Sequence, residues 1–219
     1  MADTSPYVKL VGGNSTRVLI SVLRDVNTGP AEYCLHSNRI CTILAEEGMA
    51  MEHVTTEQTV TTPCGFYKGK VPAKTHEMCA VSIMRSGDIL LEAMCRLQPG
   101  LPVGKILIQR DEADPKKTAK LFYSKLPHNI SELKVFLVDP MLATGGSAIL
   151  AVKVLQEAGV KDENLTFLNL ISCPEGVAAF TKAHPKVHLL TCVIDEKLNE
   201  ERFIVPGLGD MGDRYFQTL

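Results

Sequence analysis

The sequence lacks the features that mark membrane, secreted or nucleic-acid-binding proteins. None of its apolar runs approaches the ~18 residues that a membrane-spanning helix requires, and residues 1–10 contain neither the basic nor the apolar region of a signal peptide. The 23 basic and 25 acidic residues give a formal net charge of −2, which provides no electrostatic footprint for nucleic acid or anionic membranes. We therefore expect a cytoplasmic protein that has neither a membrane nor a nucleic acid as its partner.

Cysteine is present, but without a pairing pattern. The seven cysteines are odd in number and scattered, and no two of them form a CxxC pair. This spacing argues against a disulfide framework and against a zinc site. His184 and His188 lie four residues apart, but Pro185 prevents a regular helix between them and no third ligand is near. No metal held by the protein alone is expected.

The bulk composition is that of an ordinary globular protein. Hydrophobic residues make up 45% of the chain and charged residues 22%, which disfavours disorder, collagen-like repeats and coiled coils. A chain of 219 residues can bury a full core without cross-links. Because no repeat, low-complexity tract or linker stands out, we expect a single domain over residues 1–219.

Short apolar runs alternate with helical patterns through the middle and end of the chain, which predicts an α/β fold. Because these runs are apolar throughout, we expect strands buried on both faces of a mainly parallel sheet that is flanked by helices. The predicted strands are 79–84, 104–109, 135–138, 165–171 and 187–193. The predicted helices include 89–97 and 148–158, the second ending at Gly159.

Three further segments have predicted structures: the N-terminal part, the helix that opens near Ser172, and the C-terminal tail. Residues 10–50 are predicted to be mainly helical. Ser172 and Glu175 match a capping box, which predicts a helix that opens there and runs towards His184. The segment 199–219 is glycine-rich, so we expect it to be irregular with little to bury. Its aspartate and arginine clusters favour a site over a purely structural role.

The strongest functional signal is the run VFLVDPMLATGGS at residues 135–147. Its strand places Asp139 at the strand's C-terminal end, and the small residues that follow expose backbone N–H groups at the start of a helix. Such a turn binds phosphate through amides, hydroxyls and the helix dipole, while an acid just before it suits ribose hydroxyls. The Gly145-Gly146 pair alone is equally typical of an ordinary tight turn. The run is neither a Walker loop nor a G-x-G-x-x-G turn.

This run resembles the phosphoribosyl-pyrophosphate (PRPP) loop of type I phosphoribosyltransferases. With Pro140 in place of a second acid, its form is typical of uracil phosphoribosyltransferases. Four more stretches resemble segments of that family, and they follow one another in the family's order. They are IMRSG (83–87), the segment from QRDE to YSKLP (109–127), the segment from PEG to IDEKLNE (174–200) and FIVPGLGDMGDR (203–214). The resemblance implies the type I phosphoribosyltransferase fold with a small hood. We expect a helical N-terminal part, 1–60, and a base-binding tail, 195–219, to form that hood.

The chain departs from the family's pattern at a few positions. Ser86 stands where the family usually has alanine, and Ala113 where it usually has threonine. The stretch 114–119 is slightly longer than the corresponding loop. It still carries lysines where the pyrophosphate would be covered, so the implied function is unchanged.

The resemblance implies a reaction in which uracil and PRPP give UMP and pyrophosphate. Substitution at the sugar C1 passes through an oxocarbenium-like state, which requires positioning and well-placed cations more than a covalent nucleophile. In this scheme residues 143–147 hold the 5′-phosphate, and Asp139 holds the ribose hydroxyls. The implied PRPP-binding set is Arg85, Arg110, Asp139, Pro140, Met141, Leu142, Ala143, Thr144, Gly145, Gly146, Ser147 and Asp210. Arg85, Arg110 and Asp210 are the candidate catalytic residues, and magnesium is implied as a cofactor that arrives with PRPP.

The implied uracil-binding residues lie in the tail and are Ile204, Gly209, Asp210 and Met211. Uracil shows an acceptor, a donor and an acceptor along one edge, which alternating backbone N–H and C=O groups can read. A cytosine amino group would leave buried groups unpaired. Glycine permits the backbone to approach the base closely. The adjacent Asp213 and Arg214 are expected to form a local structural pair.

Two alternatives remain open at this point. A protein of the same fold can bind uracil or UMP as a non-catalytic sensor, or act on another base such as a purine or orotate. The resemblance and the apolar positions within 39–51 also predict a homodimer or homotetramer. Some relatives respond to GTP, but the sequence shows no second nucleotide motif.

Overall fold

The computed structural model describes residues 5–110 and 119–218, apart from the side chain of Arg110. The strands of its main sheet are β1 (Val8–Leu10), β4 (Met78–Met84), β5 (Val103–Arg110), β6 (Ala119–Lys125), β7 (Lys134–Val138), β8 (Met141–Leu142), β9 (Leu165–Ser172) and β10 (His188–Ile194). Their order is β1-β10-β9-β7-β4-β5-β6, and β8 pairs with β9. All pairs are parallel except β5 with β6. The predicted mainly parallel α/β sheet is confirmed.

Helices cover both faces of this sheet. They are α1 (Asn14–Arg24), α2 (Pro30–Met49), α3 (Gly87–Leu97), α4 (Gly146–Glu157), α5 (Pro174–Ala183) and α6 (Met211–Phe216). Successive side chains of a strand point to opposite faces. Along β4, Met78 and Ala80 therefore join the core beneath α1, α2 and α3, while Cys79 and Val81 join the core beneath α4 and α5. No helix among the described residues is both long and apolar enough to cross a bilayer.

Two small sheets lie outside the main one. Strands β2 (Thr55–Thr62) and β3 (Gly65–Pro72) form an antiparallel hairpin, and β11 (Lys197–Leu198) pairs with β12 (Ile204–Val205) in the tail. The hairpin was not predicted, because its polar sequence lacks the apolar run by which the other strands are recognised. The helical N-terminal part therefore ends at Met49 rather than near residue 60.

The predicted capping box at Ser172 is wrong. Strand β9 continues through Ser172, and Cys173 is the residue that precedes α5. The buried hydroxyl of Ser172 donates to the carbonyl of Val193 at 3.2 Å. The Glu175 carboxylate instead accepts from the N–H of Leu198 in the tail at 3.3 Å. The helix itself forms where it was expected.

The expectation that the tail buries little is also wrong. Ile204, Leu208 and Met211 are buried in the same core as the inner faces of α2 and α3. The tail ends in helix α6, which packs near α2. These apolar residues are separated by glycines and polar residues, so no periodic pattern marks them in the sequence.

Candidate active site

The parallel strands deliver the chemically important residues to one edge of the sheet. The carboxyl ends of parallel strands meet at the same edge, where ligands of open α/β sheets bind. Strand β4 ends next to Arg85 and Ser86, β7 ends next to Asp139, and β10 ends next to Asp195. The order of the strands therefore brings together residues that are more than 100 positions apart in the sequence.

The phosphate loop, residues 139–147, begins at this edge and leads into α4. Gly145 has a φ of +84°, a conformation that favours glycine, and α4 begins at Gly146. The first N–H groups of a helix have no partner within the helix. The first three residues of α4 line the loop's own cavity, so these N–H groups are placed at its wall. That cavity has a volume of about 90 Å³, and its wall includes Asp139, Thr144 and Ser147. These donors and this volume suit a phosphate group.

The start of α5 supports the phosphate loop from the side. A Cβ atom on Gly176 would lie 2.4 Å from the carbonyl oxygen of Ala143 and 2.7 Å from that of Leu142. Only glycine permits this approach. The thiol of Cys173 contacts the Ala143 carbonyl at 3.0 Å. Burial raises the pKa of that thiol, so Cys173 packs as a neutral group.

A buried polar network lies beneath Asp139. The Asn169 side-chain amide donates to the backbone carbonyl of Asp139 at 3.1 Å. The Thr191 hydroxyl donates to the side-chain oxygen of Asn169, Oδ1, at 2.9 Å. Both Asn169 and Thr191 are fully buried. Since buried polar groups are stable only when hydrogen-bonded, this network fixes the backbone at the start of the phosphate loop. Both residues are polar side chains within strands rich in apolar residues, and that contrast is the signal by which sequence analysis could have found them.

The carboxyl group of Asp139 is largely buried and sparsely bonded. It accepts from the Ser86 hydroxyl at 3.3 Å and from the N–H of Met141 at 3.5 Å. Burial raises the pKa of this carboxyl to about 7; those two donors lower the pKa and the nearby charge of Asp210 raises it. Asp139 lines the cleft and can accept further hydrogen bonds there.

A second, larger chamber opens from the phosphate loop towards the tail. Its volume is about 340 Å³. Its wall shares Asp139, Met141, Ala143 and Ser147 with the smaller cavity, so the two form one continuous cleft. The opposite wall is the tail, at residues 201–204 and 209–212.

Two glycine turns shape the tail next to the chamber. A Cβ atom on Gly207 would lie 2.1 Å from the Ile204 carbonyl oxygen, and Gly209 has a φ of +78°. Glycine is therefore required at Gly207 for the turn, and it is strongly favoured at Gly209. The Asp210 carboxylate caps α6 by accepting from the N–H of Asp213 at 2.9 Å.

Two arginines hold the tail against the rest of the molecule. Arg24 of α1 donates to the Gly207 carbonyl at 2.7 Å and to both oxygens of Asp195. Arg214 donates to the carbonyls of Leu23, Asp25 and Leu208, and its guanidinium lies 4.2 Å from the centre of the Tyr33 ring. The expected local pair of Asp213 with Arg214 is therefore wrong, because the arginine side chain turns towards α1.

Asp213 instead pairs with Arg85. The Arg85 guanidinium donates to the Asp213 carboxylate and, at 2.8 Å, to the Thr218 hydroxyl. The Thr218 hydroxyl and the Arg85 guanidinium both lower the pKa of Asp213. Arg85 thus lies beside the chamber, bonded to the last helix, and it does not line the chamber wall.

The structure brings most of the predicted site residues to the one cleft. The cleft wall includes Asp139, Met141, Leu142, Ala143, Thr144, Gly145, Gly146, Ser147, Ile204, Gly209, Asp210 and Met211. Pro140 lines neither part, and its carbonyl accepts from the N–H groups of Leu170 and Ile171. The backbone of Arg110 ends β5, but its side chain and residues 111–118 lie outside the described residues. The role predicted for Arg110 stays a prediction.

Comparisons with known proteins place this chain in a family. A family model described as uracil phosphoribosyltransferase matches residues 11–218. The chain is 44% identical to the uracil phosphoribosyltransferase of Dictyostelium discoideum, over 100% of this chain and 99% of that protein. It is similar to the solved AQ2163 protein of Aquifex aeolicus, with a TM-score of 0.82, 25% identity, and coverage of 95% and 97%. It shares the fold of the adenine phosphoribosyl transferase of Trypanosoma brucei, with a TM-score of 0.55, 10% identity, and coverage of 90% and 87%.

Proposed function

The chain belongs to the uracil phosphoribosyltransferase family, and we propose that the cleft between its phosphate loop and its tail is where PRPP and uracil react. The protein is an enzyme that transfers the phosphoribosyl group of PRPP to uracil. The observation that carries the assignment of the site is the continuity of the two cavities. One end has the size and donors for a phosphate, and the other is walled by the glycine-containing tail.

The 5′-phosphate of PRPP is assigned to the small cavity. The N–H groups at the start of α4, together with the hydroxyls of Thr144 and Ser147, surround this space. Their donors and the helix dipole match a dianion. Holding the phosphate there fixes one end of the sugar, so the position of C1 is set by the length of the ribose ring.

The ribose is assigned to Asp139. Its carboxylate can accept hydrogen bonds from two adjacent hydroxyls, and its backbone is fixed by Asn169. Orientation matters here because the reaction forms little covalent bonding with the protein, so rate enhancement comes from alignment of C1 with the attacking nitrogen. Asp139 therefore acts by placing the sugar between the base and the leaving group.

Uracil is assigned to the chamber wall formed by Ile204 and residues 209–211. Backbone N–H and C=O groups exposed by the glycine turns would read the edge of the base. The exocyclic amino group of cytosine would place a donor against a donor and leave a buried acceptor of the base site unpaired, which gives strong discrimination. The tail thus determines the choice of base, and the phosphate loop does not.

Pyrophosphate is assigned to the side of the cleft next to Arg85, with Arg110 as the second predicted cation. A guanidinium has five N–H donors. In Arg85, one donor on Nη1 is bonded to Thr218 and one donor on Nη2 is bonded to Asp213. The remaining donors of Arg85 are available to phosphate oxygens. Charge that builds on the leaving pyrophosphate would be stabilised there, at a value on the order of 2–4 kcal/mol per arginine.

Magnesium fits this cleft as an ion that arrives with PRPP. The described residues contain no cluster of three or more His, Cys, Asp or Glu that could hold a metal. The Asp210 carboxylate at the chamber wall is the donor that would hold the ion, through water. Mg²⁺ commonly uses one or two carboxylates together with substrate phosphates. When bound, it supplies positive charge to the pyrophosphate.

The direct test is formation of UMP from uracil, PRPP and magnesium, with orotate and hypoxanthine assayed in parallel. Turnover with uracil alone supports the proposal. Binding of UMP without turnover would support a sensor, and preference for another base would contradict the assignment of the tail. Two variants separate the ends of the cleft, since Thr144→Val should raise KM for PRPP and Gly209→Ala should raise KM for uracil.

Assembly and location are further parts of the proposal. The apolar residues Ile40, Cys41, Leu44 and Met49 of α2 pack into this chain's own core, so they give no support to assembly. Support comes instead from the hairpin of β2 and β3, where Phe66 and Tyr67 are 83% and 62% exposed. An isolated two-stranded hairpin is marginally stable, which favours a second copy of the chain as its cover. Sedimentation as a monomer alone would contradict this.

The proposed location is the cytoplasm. All seven cysteines are free thiols, as expected in that compartment.

A further inference from the structure

Ser86 stands at a helix start but does not cap the helix. It precedes the first residue of α3, where a serine side chain ordinarily accepts from a backbone N–H of the first turn. Its backbone is helical, with φ −63° and ψ −29°, and its side chain makes no capping hydrogen bond. The hydroxyl donates instead to the Asp139 carboxylate, at 3.3 Å and across 53 residues of sequence.

The neighbouring glycine explains why the two residues meet. A Cβ atom on Gly87 would lie 2.4 Å from the Val138 carbonyl oxygen and 2.9 Å from the Ser82 hydroxyl. The start of α3 is therefore pressed against the end of β7, the strand that carries Asp139. This approach is a property of the backbone, so it fixes the position of Ser86 and leaves one side-chain torsion to place its hydroxyl.

Asp139 needs such a donor. Its carboxyl is largely buried, and its other partner, the N–H of Met141, is 3.5 Å away. A carboxylate with few hydrogen bonds in a buried place is disfavoured in its charged form and free to rotate. Ser86 also lines the chamber in which the ribose is assigned. One hydroxyl is therefore placed to orient the acid from the side that faces the substrate.

We propose that Ser86 is a positioning residue for phosphoribosyl transfer, whose hydroxyl holds the Asp139 carboxylate in the orientation and charge state that receive the ribose hydroxyls of PRPP. This inference rests on the proposed function, because it concerns the substrate assigned to that cleft. Ser86 acts through Asp139 and carries out no chemical step itself.

The sign of the pH effect follows from the bond. A hydrogen bond to the charged form lowers the pKa of a carboxyl group, so loss of the hydroxyl raises the pKa of Asp139. Among the residues that the structure describes, Asp210 of the tail acts on this carboxyl, and the elements that meet at it also carry Arg85, in the same loop as Ser86, and Asp88 of α3, which is paired with Lys105 of β5. These charges stay in place in a Ser86 variant, so a change in titration reports on the hydroxyl.

The kinetic test compares Ser86→Ala with Ser86→Thr, which keeps the hydroxyl. For Ser86→Ala we expect KM for PRPP to rise about three- to tenfold, with KM for uracil within twofold of the unaltered enzyme. The acid limb of kcat/KM for PRPP should move to higher pH. Ser86→Thr should restore KM for PRPP and the acid limb to their values in the unaltered enzyme. The control is Ser21→Ala, which removes an exposed hydroxyl bonded to the Arg17 carbonyl. It should change neither KM for PRPP nor the acid limb. Because Ser86 makes no cap, the helix content measured by far-UV circular dichroism should stay constant in all three.

A second measurement does not depend on turnover. Carboxyl ¹³C NMR of aspartate-labelled protein reports the titration of Asp139, whose resonance is identified by its loss in Asp139→Asn. The midpoint should rise in Ser86→Ala and return in Ser86→Thr. An unchanged midpoint together with an unchanged KM for PRPP would overturn the role of Ser86. If the unaltered protein forms no UMP, the proposed function fails, and the NMR titration still decides whether Ser86 controls Asp139.

Discussion

Arg24 and Asp195 lie 171 positions apart in the sequence and form an ion pair with two hydrogen bonds, of 2.9 and 2.5 Å. The carboxylate of Asp195 is almost fully buried and also accepts from the N–H of Gly207 at 2.8 Å. One pair therefore joins α1, the end of β10 and the turn of the tail. This contact anchors the tail to α1, next to the chamber wall formed by residues 201–204 and 209–212.

Replacing Arg24 should weaken both the fold and the binding of uracil. Arg24→Ala leaves the Asp195 charge buried without its partner, which should lower the free energy of unfolding by about 3 kcal/mol. Because the turn at Gly207 also loses a donor, KM for uracil should rise more than KM for PRPP. Urea unfolding and initial rates measure the two effects.

The matched control for this variant is Lys9→Ala. Lys9 pairs with Glu47 on the surface, where both side chains are about half exposed, so its loss should change stability by less than about 1 kcal/mol. Equal effects of the two substitutions would show that the pair of Arg24 with Asp195 has no special role.

Adding one methyl group beside the phosphate loop should impair the binding of PRPP. In Gly176→Ala the new Cβ would lie 2.4 Å from the Ala143 carbonyl oxygen, so the loop or α5 must move. We expect KM for PRPP to rise about tenfold or more, since a shift of the loop misaligns several phosphate donors together. Gly12→Ala is the control, because nothing lies within 4 Å of its added Cβ. If the two variants bound PRPP equally well, the support of the loop by α5 would be disproved.

Neutralising Asp139 should stabilise the protein at alkaline pH while abolishing efficient turnover. The folded-state pKa is about 7 against an ordinary value of 3.8, with burial as the main cause. The folded state therefore binds this proton more tightly than the unfolded state does. The contribution of Asp139 to stability is greatest below about pH 4 and is lost as pH rises through about 7.

The expected result for Asp139→Asn is a higher urea midpoint than the unaltered protein at pH 8, and a difference that shrinks towards pH 5. Its kcat/KM for PRPP should fall at both pH values, because the ribose loses its acceptor. If the urea midpoint of Asp139→Asn at pH 8 were lower than that of the unaltered protein, the raised pKa of Asp139 would be refuted.

Replacing Arg214 with lysine should destabilise the tail although the charge is kept. Lysine has no planar fork, so it cannot donate to the three carbonyls and lie flat on the Tyr33 ring at the same time. We expect a loss on the order of 1–3 kcal/mol, measured by thermal unfolding, with KM for uracil raised. Arg17→Lys on the exposed face of α1 is the control and should unfold at the same temperature as the unaltered protein.

The sequence was most informative where function depends on contiguous residues. The phosphate loop is one strand, one turn and one helix start, so its chemistry can be read from residues 135–147 directly. The five predicted strands appear for the same reason, since each is a local apolar run. The hairpin of β2 and β3 escaped prediction because its residues are largely exposed within this chain, so no apolar run marks its strands.

Other parts of the site could not be read from local pattern. Asn169 and Thr191 come into register only because β9 and β10 are neighbours in the sheet. Ser86 has the residue type of a helix cap, and its contact with Asp139 exists because Gly87 permits α3 to approach β7. Each of these contacts joins elements that are far apart in the sequence, so no local pattern marks it.

By itself the sequence determined the class of fold and the strand, turn and helix start at residues 135–147, because each is encoded by residues next to one another. Only the tertiary structure decided which charges pair. Asp213 and Arg214 are neighbours in sequence, yet the first binds Arg85 and the second binds the end of α1. Coulomb interactions and hydrogen bonds depend on distance in space, and that distance is set when the helices pack on the sheet and bring the tail against α1.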